Sequence, residues 1–577
     1  MRLTRGTTAG IALLVLLVIM TVYPLLTLLY GSFVKEGPLS QTTTFTLSGY
    51  KVAYLRPDNL IVLWNTIWLT AVRTVLAVTI GIFLAWMVTR TDTPWRRFIE
   101  ICIWISLFVP LQPMVFAWIG LLSKKSGLIN IFIRDMLPFL NLTEGPFNIY
   151  SYGGIIWTTV LLWSASGFVL ISPAFRRMDA SMEEAGRMAG SSRLDVFLRV
   201  TLPLMKPAVL GASILAFVRI VGSFEIEVFL GQPANIYVFT TKVYDYLNVM
   251  PARYPEAMSM STVIQIITLL LVFTQWRLLG KTQYTSITGK GYVPRLTKLG
   301  NWRYLMLGLG LVYVLLTLVL PFGALAAGSF SKVFGVYQTN LLTLDNYRRI
   351  FSDSTIWSSL KNTILVGGIA ATVGMVFYSL LSYAITRSNL AKPIRRGLDL
   401  LSWLPYSVPP ITLALGFLWA FIGAGAFFPL LRPLAPLLYG SLFFMVIVSL
   451  VRPLPLGVRT MNASLLQLGN ELEECSRIHG ASWTHTFRHI VVPLISPAFV
   501  STWIFIFLGV WRDLVTYILL YLPKSRLISI TMFEYWNGGQ VEAAVAIGTV
   551  TVLVAIPLAL LAQWLGARAE GTASQAY

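Results

Sequence analysis

Two short segments of the chain carry charged residues in the same order. The first contains two acids, an arginine, a glycine, an aromatic residue and a proline, at Glu183, Glu184, Arg187, Gly190, Phe197 and Pro203. The second contains the same types in the same order, at Glu473, Glu474, Arg477, Gly480, Phe487 and Pro493. The helix dipole favours acids in a first turn. The first segment therefore predicts a short helix, a break at Gly190, and a second turn that Pro203 and Pro207 end.

A charged helix tethered by a glycine and a proline can dock as a rigid body in a groove of another protein. The alternative is a helix lying flat on lipid, which needs a broader apolar face than the charged residues between Glu183 and Asp195 leave. The segments therefore predict protein docking.

A second group of polar residues lies in or beside apolar runs, at Arg219, Ser223, Glu225, Glu227, Arg512 and Asp513. Charges at membrane depth are costly, so they are functional or paired. One hypothesis is that they border a polar route whose carboxylates attract a cation. The other is an interhelical ion pair, for example Glu225 with Arg512. Arg73 is expected to be paired or to reach the interface.

Sulfur and imidazole ligands cluster in the second segment, at Cys475, His479, His485 and His489. A cysteine and a histidine four residues apart could share a zinc ion. The first segment has none of these residue types at the matching positions, so we predict surface histidines and no metal site.

Gly280-Lys281-Thr282 ends like a phosphate-binding loop, but Gln275 stands where its first glycine belongs. No convergent catalytic set is found, so the chain is predicted to be no enzyme and to bind no cofactor.

Membrane helices must position these residues. Of the 577 residues, 56% are hydrophobic and only 12% are charged, which is too apolar for a soluble domain. About twelve runs are long enough to span a bilayer, near 10–30, 62–88, 99–121, 153–173, 207–230, 259–279, 303–327, 362–386, 399–424, 434–451, 496–521 and 541–565. Long apolar runs without the alternation of barrel strands predict helices, and hence an all-α integral membrane protein.

The distribution of Lys and Arg predicts that both termini are cytoplasmic. The net charge of +20 is explained by this topology and by anionic lipid, so no nucleic acid partner is predicted. The chain has only two cysteines, Cys102 and Cys475, which leaves no disulfide framework.

The second half repeats the first at an offset of about 290 to 297 residues. Outside the charged segments, the matched residues are Tyr50 with Tyr347, Asn65-Thr66 with Asn362-Thr363, and Thr89-Arg90 with Thr386-Arg387. Prolines interrupt the third span of each half, at Pro110, Pro113, Pro405, Pro409 and Pro410. The repeat predicts two homologous six-helix bundles, at 1–285 with its charged segment near 178–207 and at 303–577 with its segment near 461–497. A cytoplasmic linker at 286–302 joins them.

The two segments resemble the EAA loop of ABC importer permeases. The first copy reads Glu183-Glu184-Ala185-Gly186-Arg187-Met188-Ala189-Gly190, and the second reads Glu473-Glu474-Cys475-Ser476-Arg477-Ile478-His479-Gly480. Cys475 replaces the usual alanine, and Leu465 to Glu471 look like an insertion. The likeness covers essentially the whole chain, and the fused twelve-span arrangement is similar to the ferric iron and thiamine branch of type I importers.

The resemblance implies the type I ABC importer permease fold in a bacterial cytoplasmic membrane. It implies two copies of a separate ABC ATPase subunit, which carry ATP and Mg²⁺ and bind the charged segments, and an extracytoplasmic substrate-binding protein. It places the intramembrane polar residues along the translocation pathway. Ferric iron is the expected substrate, with thiamine or an organophosphonate as alternatives. A secondary transporter driven by an ion gradient is the other functional class, but it gives no reason for a duplicated cytoplasmic segment.

Overall fold

The computed structural model describes residues 5–35, 44–178, 181–279, 296–336, 342–422, 438–469 and 471–575. Within these ranges the chain is helical, and extended pairing is limited to three isolated bridges. The α-helices of the first half are α1 (Arg5–Leu17), α2 (Tyr23–Gly31), α3 (Ser48–Leu55), α4 (Pro57–Arg90), α5 (Arg96–Phe108), α6 (Leu111–Leu122), α7 (Leu128–Met136), α8 (Tyr152–Arg177), α9 (Ser181–Met188), α10 (Arg193–Val196), α11 (Leu202–Val221), α12 (Phe239–Asn248) and α13 (Tyr254–Leu279). Those of the second half are α14 (Trp302–Val314), α15 (Leu320–Ser329), α16 (Asp345–Ser352), α17 (Ser354–Thr386), α18 (Lys392–Trp403), α19 (Pro410–Ile422), α20 (Leu442–Val451), α21 (Leu454–Gln467), α22 (Glu471–Ile478), α23 (Trp483–Thr486), α24 (Val492–Arg512), α25 (Ile528–Asn537) and α26 (Val541–Gln575).

The described helices confirm an all-α membrane protein of about twelve spans. Nine of them are long and apolar enough to cross a bilayer, and the number rises to twelve if each of three bent helix pairs counts as one span. Helices suit hydrocarbon because most of their backbone hydrogen bonds are made within the span.

Proline bends the third span of each half. The helices α5 and α6 meet at an angle of 104°, and α6 begins directly after Pro110. In the second half, α18 with its short 3₁₀ extension and α19 meet at 112°, and α19 begins at Pro410. Proline cannot donate the backbone hydrogen bond that would continue the preceding helix. The interruptions predicted from the sequence are therefore confirmed.

The fourth span differs between the halves. In the first half, α8 runs unbroken over 26 residues. In the second half, α20 and α21 are bent by 53° around Arg452 and Pro453. The connection that follows has the same length in both halves, residues 178–180 and residues 468–470, so the insertion suspected at Leu465 to Glu471 is wrong.

Four π-helical turns precede prolines and recur at matching places in the two halves, at Val18–Val22, Phe197–Thr201, Leu315–Val319 and Phe487–Val491. Each is followed by a helix that has proline in its first two positions. The missing proline N–H and the bulk of its ring widen the preceding turn. The duplication is therefore present in the backbone as well as in the residue types.

Packing groups the described helices into two units that cut across the sequence halves. One unit contains residues 1–55, 243–265 and 347–577, and the other contains 56–242 and 266–346. In the first of these units, Thr27 of α2 donates to the carbonyl of Gly416 in α19 at 3.2 Å. In the other, the hydroxyls of Ser164 and Tyr313 are 2.9 Å apart. The first span of each half thus packs with helices of the other half. The boundaries at 285 and 303 stay a prediction, and most of the linker lies outside the described residues.

The repeated Asn-Thr pairs fix the start of a later helix. The backbone N–H of Phe239, at the start of α12, donates to the Thr66 hydroxyl at 2.8 Å. The backbone N–H of Ile528, at the start of α25, donates to Thr363 at the same distance. Both threonines are buried, so each satisfies a helix N–H that would otherwise be costly in an apolar environment.

Close approach of two helices holds α4 against α8. A methyl group on Gly81 would lie 2.8 Å from backbone atoms of Gly167. Small residues at such a contact allow the dense packing that stabilises helix pairs in lipid. In the second half, Tyr378 and Gly457 occupy the corresponding positions, so a ring against a glycine replaces the glycine pair.

We expect Gly81→Ala to lower the stability of the chain by about 1–3 kcal/mol, because the new methyl group forces the two backbones apart. Thermal unfolding of the detergent-purified protein measures the effect. Gly368→Ala is the matched control, since a methyl group there meets nothing within 4 Å. Equal unfolding temperatures for the two variants would contradict the close-packing interpretation.

Candidate functional site

Each charged segment begins with a short helix that ends at a left-handed glycine. The helix α9 is followed by Gly190 at φ +86°, and α22 by Gly480 at φ +80°. The backbone N–H of Ser191 donates to the carbonyl of Gly186, and that of Ala481 to Ser476, which is the bonding of a Schellman cap. A methyl group on either glycine would meet nothing within 4 Å, so backbone conformation alone requires glycine.

The second part of each segment continues into the membrane, contrary to the prediction that Pro203 and Pro207 end it. The helix α10, the π turn Phe197–Thr201 and α11 follow one another without a gap. Pro203 directly follows the π turn, whose wider hydrogen bonding accommodates the proline ring and its missing N–H inside the continuous helix. The segment is therefore joined rigidly to the fifth span.

A buried ion pair ties the first charged segment to the second span. Arg90, the last residue of α4, contacts the Glu183 carboxylate with an N to O distance of 2.6 Å. Only 2% of the Arg90 side chain and 12% of the Glu183 side chain are exposed. Arg90 also donates to the carbonyl of Met178, at the end of α8, and the Thr201 hydroxyl donates to Glu183 at 2.8 Å. We call this set of contacts the first clamp.

A matching set, the second clamp, is present in the second half. Arg387, just after α17, lies 3.9 Å from the Glu473 carboxylate and donates to the carbonyl of Leu468. The hydroxyl of Tyr383 donates to Glu473 at 2.8 Å. Each arginine thus joins the end of the second span and the end of the fourth span to the first acid of the Glu-Glu pair, Glu183 or Glu473. Arg90 and Arg387 are matched residues of the repeat, but their pairing was not predicted from the sequence.

Aromatic rings reinforce both clamps. The ring of Phe197 meets Trp86 of α4 edge-on at 5.6 Å, and the ring of Phe487 meets Tyr383 of α17 edge-on at 5.7 Å. Edge-to-face contacts at this distance are favourable. Glu183 and Phe197 therefore lie together at the end of α4, and Glu473 and Phe487 lie together at the end of α17.

The outer surfaces of α9 and α22 expose apolar side chains beside acids. Met188 is 90% exposed and Ile478 is 83% exposed, and Met182 and Leu472 are also exposed. Glu474 is exposed as well. Glu184, Arg187 and Arg477 lie on these helices, but their side chains are outside the described part of the structure. Exposed methionine and isoleucine at the end of a charged helix are typical of a docking surface.

The predicted pathway residue Glu227 is paired inside the first half. Its carboxylate contacts Arg73 of α4 and accepts a hydrogen bond from Ser223 at 2.7 Å. Both side chains of the ion pair are 1% exposed. Arg73 is further bonded to the carbonyl of Leu69 and to the Thr159 hydroxyl. A charge pair this deep is tolerated because its hydrogen-bonding groups are satisfied.

In the second half, Asp513 is paired with Arg452, which stands at the bend between α20 and α21. Arg452 also donates to the Thr516 hydroxyl at 2.9 Å, and the Ser529 hydroxyl donates to the Asp513 carbonyl. The role of Arg452 was not predicted from the sequence. The adjoining prolines, Pro453 and Pro455, were the available signal.

The remaining pathway candidates lie at the ends of the fifth spans. Arg219 is in the last turn of α11, Arg512 is the last residue of α24, and Glu225 is buried just beyond α11. These helices end at Val221 and Arg512, short of the predicted limits of 230 and 521. A pairing of Glu225 with Arg512 stays a prediction.

The cysteine and histidines of the second segment lie along its exposed surface. The sulfur of Cys475 is 3.8 Å from Nδ1 of His479, and the rings of His485 and His489 stack at 4.2 Å. Among the described residues, no group of three or more possible ligands is placed to hold a metal ion.

We expect Glu183→Gln to loosen the first clamp, because it leaves the Arg90 charge buried without its counter-charge. Amide hydrogen exchange in residues 181–188 should become about tenfold faster or more, which corresponds to about 1.4 kcal/mol. Asp195→Asn is the matched control, since its pair with Arg199 is exposed and contributes little. Equal exchange in the two variants would show that the buried pair does not hold the helix.

We expect Asp513→Asn to lower the unfolding temperature and the double variant Arg452→Gln with Asp513→Asn to recover most of the loss. Removing one partner of a buried pair leaves the other charge buried without a counter-charge, whereas removing both partners does not. Glu534→Gln, in the half-exposed pair with Arg526, is the control and should have a smaller effect. If the decreases in unfolding temperature of the two single variants add up in the double variant, a pairing role for Asp513 is ruled out.

Comparisons with known proteins agree with these features. The family model described as "Binding-protein-dependent transport system inner membrane component" matches residues 77–283 and 379–571. Both matches include a charged segment and the fifth span that follows it.

Three relatives match over most of this chain. The ferric transport system permease protein FbpB of Actinobacillus pleuropneumoniae is 25% identical over 78% of this chain, which spans 63% of that protein. A putative ferric transport system permease protein of Haemophilus influenzae is 27% identical over 76% of this chain and 67% of that protein. A probable ABC transporter permease protein of Sinorhizobium fredii is 24% identical over 86% of each chain.

The two family matches cover well over half of the residues and place one copy in each half of the duplication. The chain therefore belongs to the family of inner membrane components of binding-protein-dependent transport systems, and it is a multi-pass permease of the ABC importer type.

Proposed function

We propose that this permease imports a substrate with energy from a separate ABC ATPase, two copies of which bind α9 and α22. The observation that carries the proposal is the duplicated pair of exposed helices, each clamped to its own second span. A partner that moves such a helix pulls on an arginine that is also bonded to the end of the fourth span. Movement at the surface is thereby passed to several membrane helices at once.

The docking surface and the clamp use different acids of the same helix. Glu183 is hydrogen-bonded to Arg90, and Glu473 accepts a hydrogen bond from Tyr383 and lies 3.9 Å from Arg387. Glu474 is exposed, and Glu184 is its counterpart in the repeat. We infer that the second acid of each pair contacts the ATPase, while the first transmits the movement. The Schellman caps at Gly190 and Gly480 keep these helices short and rigid enough to seat in a groove.

The orientation follows from the same proposal. Because an ATPase works in the cytoplasm, α9 and α22 lie on the cytoplasmic side of the inner membrane, as do both termini. A substrate-binding protein delivers cargo on the opposite side, and alternating access carries it across.

We propose ferric iron as the substrate, because two relatives that match most of this chain are named as ferric transport permeases. Thiamine and an organophosphonate are the competing substrates. The test uses proteoliposomes that contain the permease, the ATPase and the binding protein. Uptake of labelled ferric iron is measured alone and in competition with thiamine or an organophosphonate, which distinguishes the three substrates.

The decisive test is the ATPase activity of the purified chain in lipid, alone and with the partner ATPase. We expect no activity alone and activity in the complex. Glu184→Ala or Glu474→Ala should reduce transport-coupled ATP hydrolysis about tenfold or more, since each removes a charged contact at the docking surface. Asp135→Ala, on the exposed helix α7, is the control and should have no effect.

The opposite result identifies the other functional class. Uptake that needs no ATPase, follows an ion gradient and is unchanged by both glutamate variants would replace this proposal with a secondary transporter. Loss of transport-coupled ATP hydrolysis in only one of the two glutamate variants would instead show that the two halves engage the ATPase unequally.

A further inference from the structure

A cavity lined by arginines lies beside the first clamp. Its volume is about 320 Å³, and its charged lining consists of Arg90, Arg96, Arg97, Arg176 and Glu100. Apolar lining comes from Val88, Phe175 and Leu296. The space equals roughly ten water molecules, so it can hold a phosphate group with part of an attached chain.

The positive charge of this cavity is only partly balanced by the protein. Arg90 is paired with Glu183, and Arg176 is paired with Glu100. Arg96 donates to the carbonyl of Thr91 at 3.4 Å. Neither Arg96 nor Arg97 forms an ion pair with any residue that the structure describes. Two guanidinium groups therefore remain available to an anion.

The position of Arg96 and Arg97 adds a second argument. They are the first two residues of the 13-residue helix α5, where the helix dipole disfavours cations. The residue before them, Trp95, has φ +55° and provides no side-chain cap for the first N–H groups of the helix. An anion in the cavity would balance both guanidinium charges and accept hydrogen bonds from these N–H groups.

The surroundings place the cavity at the level of lipid headgroups. Trp95 and Phe98 are exposed next to the arginines, and Thr91 is paired with Thr297 of the segment that joins the two halves. Exposed tryptophan beside arginine is typical of the membrane–water interface. Both a lipid headgroup and a dissolved phosphate can therefore reach the site.

We propose that the cavity formed by Arg90, Arg96, Arg97 and Arg176 binds a phosphate-bearing anion. Arginine recognises phosphate oxygens with paired N–H donors, and four guanidinium groups around one cavity give this chemistry. The inference does not depend on the proposed transport function, because it concerns binding to the permease alone.

Binding to the full-length purified permease tests the proposal with two probes. Native mass spectrometry measures retention of phosphatidylglycerol after exchange from phosphatidylcholine, and a phosphorus NMR titration measures binding of inorganic phosphate in phosphatidylcholine alone. We expect the double variant Arg96→Gln with Arg97→Gln to weaken binding of the successful probe about tenfold or more. Retention of phosphatidylglycerol identifies a lipid headgroup as the ligand, and binding of inorganic phosphate identifies a dissolved anion.

The matched control is Arg395→Gln with Arg396→Gln, an adjacent pair of exposed arginines in α18 that removes the same charge outside this cavity. It should leave binding unchanged, and both double variants should unfold at the temperature of the original protein. Failure of the original protein to bind either probe would overturn the proposal. Equal loss of binding in the two double variants would also overturn it, because general surface charge would then be the cause.

Discussion

The pairing of one arginine with one glutamate at the end of the second span organises the functional surface of each half. Arg90 and Arg387 form ion pairs with Glu183 and Glu473 and, at the same time, donate to a carbonyl at the end of the fourth span. The clamps are buried, so their strength does not depend on screening by salt as that of an exposed pair would. Without them, α9 and α22 would lose their direct bonds to the second spans.

The same physical constraint governs the charges deeper in the membrane. Glu227 and Asp513 each have an arginine partner within their own unit, Arg73 and Arg452. Hydrocarbon makes an isolated charge costly, so these acids are retained only together with their partners. The two halves solve the problem differently. The first uses an arginine on a continuous helix, and the second uses an arginine at a proline bend, although the two halves are copies of one plan.

The sequence was sufficient to predict the helical fold, the number of spans, the duplication and the bends at Pro110 and Pro410, because all of these follow from local patterns of apolar residues and proline. It also placed a break at Gly190. It did not predict the clamps, because Arg90 and Glu183 are far apart in the chain and only packing brings them together. It was wrong about Pro203, since the π turn before this proline lets the helix continue past it. The pairing of each first span with the other half left no local signal at all.

The exchange of first spans has a consequence for synthesis of the protein. Thr27 finds its acceptor, Gly416, 389 residues later in the chain. The first helix must therefore enter the membrane long before the helix it packs against has been made. Until the ribosome reaches the second half, its apolar surface faces lipid or another protein of the insertion machinery. A truncated product that ends between the halves would leave α1 and α2 without the contacts that α18 and α19 provide, which gives quality-control proteases a means to recognise unfinished chains.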